Sequence, residues 1–325
     1  MRTKLEVYED ASAFEALRAE WNTLLERSAT NVLFLTWEWQ WAWWKSFGSN
    51  KSLRLLVLRD ENGYASAIVP LFVQDTVLSL DAPLPDISIE HPFTVVDGVP
   101  RRTTHFVGGT EVSDYLDIIA PLELVPKVCA TLINALAGME DWHILDLRCL
   151  PSVSPTVSAV SEVASEYGWN VQRTREDVCP IIELPKTWTE YLTLKLNKKQ
   201  RHELRRKIRR AERQARVEWH WVDDTDNLEQ GLDIFFRLHK ASAPDKDAFM
   251  DERMQAFFRD VAHFALDKDW LRLSILRFNG QPVASYLCFD YGGDRLVYNS
   301  GFCLLYTSDA ADEGLGVDLG GRRII

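Results

Sequence analysis

No run of eighteen apolar residues occurs in the 325-residue chain, and its opening MRTKLEVYEDASAFEALRAEW has neither an apolar core nor a small-residue cleavage site. Neither a membrane span nor secretion is expected. C-x-x-C pairs are also absent: Cys129, Cys149, Cys179, Cys288 and Cys303 lie far apart. This spacing speaks against zinc and dithiol redox sites and fits a reducing cytoplasm. The seven histidines form no H-E-x-x-H or H-x-H arrangement, so no metal is expected. No G-x-S-x-G serine marks a covalent nucleophile.

The chain is rich in large apolar side chains. Its twelve tryptophans, among 36 aromatics, are too much surface to leave in water, which excludes disorder over most of the length. The length is enough for two cores. The helix after Thr36 carries Trp37, Trp39, Trp41, Trp43 and Trp44 on nearly every side, the pattern of a buried helix. A lipid-interface anchor or a sugar-stacking platform would use the same residues, but no basic face accompanies them.

The formal charge of −11 hides an exception: Lys195 to Arg216 carries eleven Lys/Arg against Glu203 and Glu212, so this segment is +9 and the remainder −20. A helix over 197–215 would present Leu204, Ile208, Ala211 and Ala215 as a narrow apolar stripe. The plain reading is a solvated helix whose long stems cover apolar surface. The sharper one is a site for nucleic acid or another anionic surface, with the rest of the chain as scaffold.

An internal repeat organises the chain. LRLLVLRDENGYASAIVPLFV from Leu53 and LRLSILRFNGQPVASYLCFDY from Leu271 start 218 residues apart. They share L-R-L, L-R, N-G and an alanine. Each predicts two strands joined at Asn62-Gly63 or Asn279-Gly280. Helices are predicted before each hairpin, over 11–27 and 36–46 in the first copy and 227–241 and 251–266 in the second. Between the copies come a strand in VSDYLDIIAPL, a helix over 125–137, a buried strand in WHILDLRCL, a helix over 157–167 and strands near Val171 and Ile181. A break near Asp177 to Pro185 separates two modules.

Several segments together resemble the GNAT acetyltransferases of the CelD/BcsL type, linked by that name to cellulose biosynthesis, and the FemAB-like tandem GNAT enzymes. They are LFLTWEWQWAWWKSFG, the hairpin ending in IVPLF, SDYLD, IIELPKTWTEYLTLKLNKKQRHELRRKIRRAER, FFRLHKASAPDKDAFM and QPVASYLCFDYGGDRLVYNSGF. The resemblance implies an α/β protein of two GNAT-like halves, residues 1–178 and 179–302, with mixed, mainly antiparallel sheets flanked by helices. It also implies an N- or O-acyltransferase that takes acetyl-CoA or another acyl-CoA as co-substrate. The acceptor would be an amine, a sugar or a polysaccharide precursor. The strand 295–302 would splay from its neighbour, so that Tyr298, Asn299, Ser300 and Gly301 flank the thioester, with Val297, Asn299, Ser300 and Gly301 binding the acyl-CoA. Proximity and donors for a developing oxyanion would then carry the chemistry.

The family pattern stops at Phe302. CLLYTSDAADEGLGVDLGGRRII, residues 303–325, resembles a translated sequencing adapter, so the second half is expected to be truncated, without its pyrophosphate loop and inactive as it stands.

Candidate residues carry two readings each. His239 ends an apolar helix beside polar residues and is either a general base for the acceptor or a packed histidine. Asp245, Lys246 and Phe249, in a predicted loop, either recognise the acceptor or form a helix entry. Tyr298 either protonates the departing thiolate or fills the strand. Asp114 and Asp117 are an acid/base pair or a polar edge.

Overall fold

A computed structural model describes residues 3–76, 87–90 and 101–303. These residues fall into two compact units divided between Asp177 and Val178. Both are α/β, each a sheet with helices, and no helix among the described residues is long and apolar enough to cross a membrane.

The first unit begins with β1 (Lys4–Tyr8), α1 (Ser12–Leu25) and α2 (Trp37–Phe47). The hairpin β2 (Ser52–Arg59) and β3 (Ala65–Thr76) follows, with β4 (Ile87–Glu90) and β5 (Arg101–Phe106) after it. The unit closes with α3 (Val125–Ala137), β6 (Ile144–Asp146), α4 (Pro155–Glu166) and β7 (Asn170–Arg173). The sheet order is β1-β2-β3-β5-β6-β4-β7. Every pairing is antiparallel except β5 with β6. β2 is buried at six consecutive residues, Leu53 to Leu58, because both of its faces are covered.

The tryptophan helix is core. Thr36 caps it by accepting from the Trp39 N–H. Trp37, Trp39 and Trp43 are buried, and their indole N–H groups donate to the Phe14 carbonyl, Ser113 Oγ and Glu111 Oε1 at 2.7, 2.8 and 3.0 Å. Burying an indole without such partners would be costly.

The second unit runs α5 (Trp188–Leu194), α6 (Lys198–Gln214), β8 (Val217–Val222), α7 (Thr225–Ser242), α8 (Pro244–Phe249), α9 (Glu252–Asp267), β9 (Leu271–Phe278), β10 (Gln281–Tyr291) and β11 (Asp294–Phe302). Its sheet order is β11-β10-β9-β8, antiparallel throughout. The repeat therefore reaches further than its hairpins. In each unit a strand precedes the helices that lead into the hairpin and pairs with the first hairpin strand, β1 on β2 and β8 on β9.

Four expectations need correction. The two N-G turns differ. Asn279 (φ 49°) and Gly280 (φ 80°) are both left-handed, as a two-residue hairpin turn requires. The first hairpin instead turns through Asp60–Tyr64, where Asp60 Oδ1 accepts from the Asn62 and Tyr64 N–H groups and only Gly63 is left-handed. VSDYLDIIAPL is not a strand, because Tyr115 at φ 56° breaks the extended run and leaves Ile119 a single bridge to Ile68. Ile181 lies in exposed coil, with no strand partner among the described residues. The segment holding Asp245, Lys246 and Phe249 is the short helix α8, started by Pro244 with Asp245 and Asp247 in its first turn.

Asp117 is a structural hub. It is 1% exposed and accepts hydrogen bonds from Thr30, Ser154 and Thr156 hydroxyls, each at 2.6 Å, and from the Ile118 N–H. Burial raises its pKa, and these four donors pull against that rise.

Candidate functional site

Three neighbouring elements of the second unit, α7, α8 and β11, converge at Ser300. β11 lies against α7 so closely that a Cβ on Gly301 would overlap the His239 backbone nitrogen. Only glycine fits there, and the close approach fixes His239 beside the strand. Among the described residues β11 pairs with β10 alone. Their register slips between Leu287 and Cys288, which oppose Asn299 and Val297 and leave Tyr298 as the extra residue of a bulge.

The edge of β11 is held by side chains. The Ser300 carbonyl accepts from Lys246 Nζ at 2.9 Å, and the Ser300 N–H donates to Asn299 Oδ1 at 3.0 Å. Both backbone groups of Ser300 therefore face away from β10. Alternation along an antiparallel ladder then directs those of Asn299 and Gly301 towards β10. What Asn299 offers a ligand is its side chain, and Ser300 offers groups already covered.

The tautomer of His239 follows from the same contacts. A backbone N–H can only donate, so Asn299 Oδ1 is an acceptor, and His239 Nε2, 3.0 Å from that oxygen, must carry a proton. Nδ1 holds the lone pair and, although the Lys246 backbone lies near the ring, has no partner of good hydrogen-bond geometry among the described residues. His239 is 2% exposed. Burial, and next the Lys246 ammonium, push its pKa down to about 4, against the opposing pull of Asn299, the Lys246 backbone and Asp245. The imidazole is neutral at pH 7. Burial also lowers the pKa of Lys246, while Asp245 raises it.

Of the remaining sequence-predicted residues, Phe249 packs its ring 5.9 Å from His239 and Asp245 is exposed. Tyr298 is 3% exposed, its ring edge-on to Phe258 and Phe289. That cage is a packing environment; at the bulge it is the backbone of Tyr298, not its ring, that is distinctive. Val297 is half-buried. The structure thus gathers His239, Lys246, Phe249, Asn299, Ser300 and Gly301, and leaves Asp245 on the surface. The Asn299 side chain as the link between helix and strand was not foreseen, because sequence spacing does not show which strand residue a helix will touch. The pyrophosphate loop and the 303–325 tail lie outside the described residues, apart from Cys303.

The second unit is thus a helix-flanked antiparallel sheet with a bulged edge strand and a lysine on its backbone. Residues 198–317 match the family model of the acetyltransferase (GNAT) domain. That span runs from the start of α6 through β11 and past Phe302. No curated protein matches the chain. Among solved structures, FemX is similar over 96% of this chain and 83% of its own, at 10% identity and a TM-score of 0.56. This likeness supports the tandem α/β fold. A mutant of the BH1408 protein from Bacillus halodurans aligns over 57% of this chain and all of its own length, at 14% identity and a TM-score of 0.29.

Proposed function

We propose that the second unit transfers an acyl group from acetyl-CoA or another acyl-CoA to an amine or hydroxyl, with an amine, a sugar or a polysaccharide precursor as acceptor. The observation that carries this is the bulged edge of β11, with Lys246, Asn299 and His239 gathered at Ser300 inside the span matched by the GNAT model. Acyl-CoA, when bound, supplies an acyl group activated as a thioester. The residues fit its pantetheine part: the edge of β11 that faces away from β10 has no strand partner among the described residues, and the bulge at Tyr298 interrupts the ladder beside it.

Lys246 holds the edge carbonyl of Ser300 in place and puts a positive charge where negative charge would develop. His239 is available as a base only through Nδ1, since Nε2 is committed to Asn299. Tyr298, expected from sequence either as the acid or as strand packing, contributes through its bulged backbone in this reading. The CelD/BcsL assignment, a role in cellulose biosynthesis, a cytoplasmic location, the division into domains 1–178 and 179–302, and the non-native character of 303–325 belong to the same proposal.

The test is release of free thiol from acetyl-CoA in the presence of amine and amino-sugar acceptors. It is run on the 325-residue chain and on the chain continued after Phe302 in its genomic frame. Acceptor-dependent release that disappears in Lys246→Ala supports the proposal. Absence of release from both chains contradicts it.

A second reading rests on α6, none of whose residues is buried. As a nucleic-acid site it would bind non-specific DNA with an affinity that falls steeply with salt. Salt-insensitive or absent binding would remove it.

A further inference from the structure

The first unit contains a cavity of about 340 Å³ that acyl transfer in the second unit leaves unused. Its floor is a row across three strands: Phe72 on β3 stands opposite His105 on β5, which stands opposite Asp146 on β6. Two residues along, Gln74 opposes Thr103, and Thr103 opposes Ile144. Positions two apart share a face of a sheet, so these six side chains form one surface. Trp43 from α2, Lys51 just beyond that helix, and Glu111 and Arg148 from the loops after β5 and β6 complete the lining that matters here.

The floor is a relay of polar groups. Gln74 Nε2 lies 3.4 Å from His105 Nε2, and Asp146 Oδ2 lies 3.3 Å from His105 Nδ1. With the Gln74 amide nitrogen as donor, Nε2 of His105 accepts and Nδ1 turns its proton towards Asp146. Arg148 Nε reaches the same Asp146 oxygen at 3.2 Å. Asp146 is 2% exposed, yet its Oδ1 has no hydrogen-bond partner among the described residues, and the hydroxyl of buried Thr103 has none either. Buried polar atoms nearly always have partners; here two residues that line one cavity each carry an atom that does not.

The charges select the ligand. Lys51 and Arg148 are balanced by Glu111 and Asp146, so the lining is formally neutral. An anion would meet two carboxylates and a cation would meet a lysine and an arginine. A neutral molecule whose groups both donate and accept can satisfy both sets, and a hydroxyl does both. The volume is at the small end of ligand pockets, which run from about 300 to 1,000 Å³. We infer that this cavity binds a neutral saccharide of one or two rings, through Gln74, Thr103, His105 and Asp146. The inference does not depend on the acyl-transfer reading.

Titration of the full chain with glucose, N-acetylglucosamine and cellobiose, followed by saturation-transfer NMR and calorimetry, tests it, with glycine and inorganic phosphate as comparison ligands. At least one sugar should bind, and binding should weaken at least about tenfold, or 1.4 kcal/mol, in both Gln74→Ala and Thr103→Val. The exposed α6 variant Arg205→Gln should bind as the parent does. Gln74 is half-buried at the cavity, and Thr103→Val keeps its shape, so a melting curve can show both variants folded. No sugar binding, binding unchanged by either cavity variant, or binding of glycine or phosphate in place of sugar would each overturn the inference.

Discussion

Lys246 Nζ donates to the carbonyl oxygen of Ser300 at 2.9 Å, tying the short helix α8 to the edge of β11. This charged hydrogen bond adds to the ladder with β10 and the crossing of Gly301 on α7 in placing the strand on which the proposed chemistry depends.

Replacing that lysine by methionine keeps the stem and removes the donor. Hydrogen bonds to charged groups contribute about 1.5–3 kcal/mol. Lys246→Met should therefore lower acyl transfer by at least about tenfold while leaving a cooperative melting transition. Unchanged turnover in the thiol-release assay would remove Lys246 from the machinery.

His239 should give stability an acid dependence. Its pKa is near 4 folded against 6.5 unfolded, so between these values the unfolded chain binds more protons. Stability contributed by the neutral ring is full above pH 6.5, declines as pH falls, and is lost below about 4. The total is roughly 3 kcal/mol, because each tenfold difference in proton affinity between the two states is worth about 1.4 kcal/mol. Denaturant titrations from pH 7 to 4 should show this slope in the parent and a flatter one in His239→Gln.

Gly301→Ala should be damaging out of proportion to its size. The added methyl would overlap backbone of α7 at His239, and overpacking of this kind costs about 1–3 kcal/mol or more. The Tm should fall and the His239–Asn299 contact should loosen. A neutral substitution would show that β11 and α7 are further apart than described.

Asp117 offers a test in the first unit. Asp117→Ala strips a shared acceptor from Thr30, Ser154 and Thr156, and stability should fall by about 3 kcal/mol. Thr30→Val, which removes one of these bonds, should cost about 1 kcal/mol. A similar loss for both variants would contradict the hub.

Much of this architecture was readable in the sequence. The α3 bounds follow its apolar periodicity, and α6 begins where Asn197 and Gln200 form a capping box. The strands β1 and β8 are absent from the sequence-based expectation although KLEVY and VEWHW alternate apolar and polar residues; both are short edge strands, and β8 turns Val217, Trp219 and Trp221 out to solvent. Site residues on one helix or strand could be proposed from local pattern. Their joining through Asn299 and Lys246 could not, since it depends on the close crossing at Gly301. The His105–Asp146 cavity was missed for the same reason: its floor comes from three strands far apart in sequence.

Amide hydrogen exchange over 294–302, with and without acetyl-CoA, tests most directly whether the edge of β11 grips an acyl-CoA. Slower exchange is expected, confined to the bulge and edge of β11 around Tyr298 to Phe302, with loss of that protection in Lys246→Met. Exchange along β11 that acetyl-CoA leaves unchanged, with protection appearing only in the first unit, would contradict it.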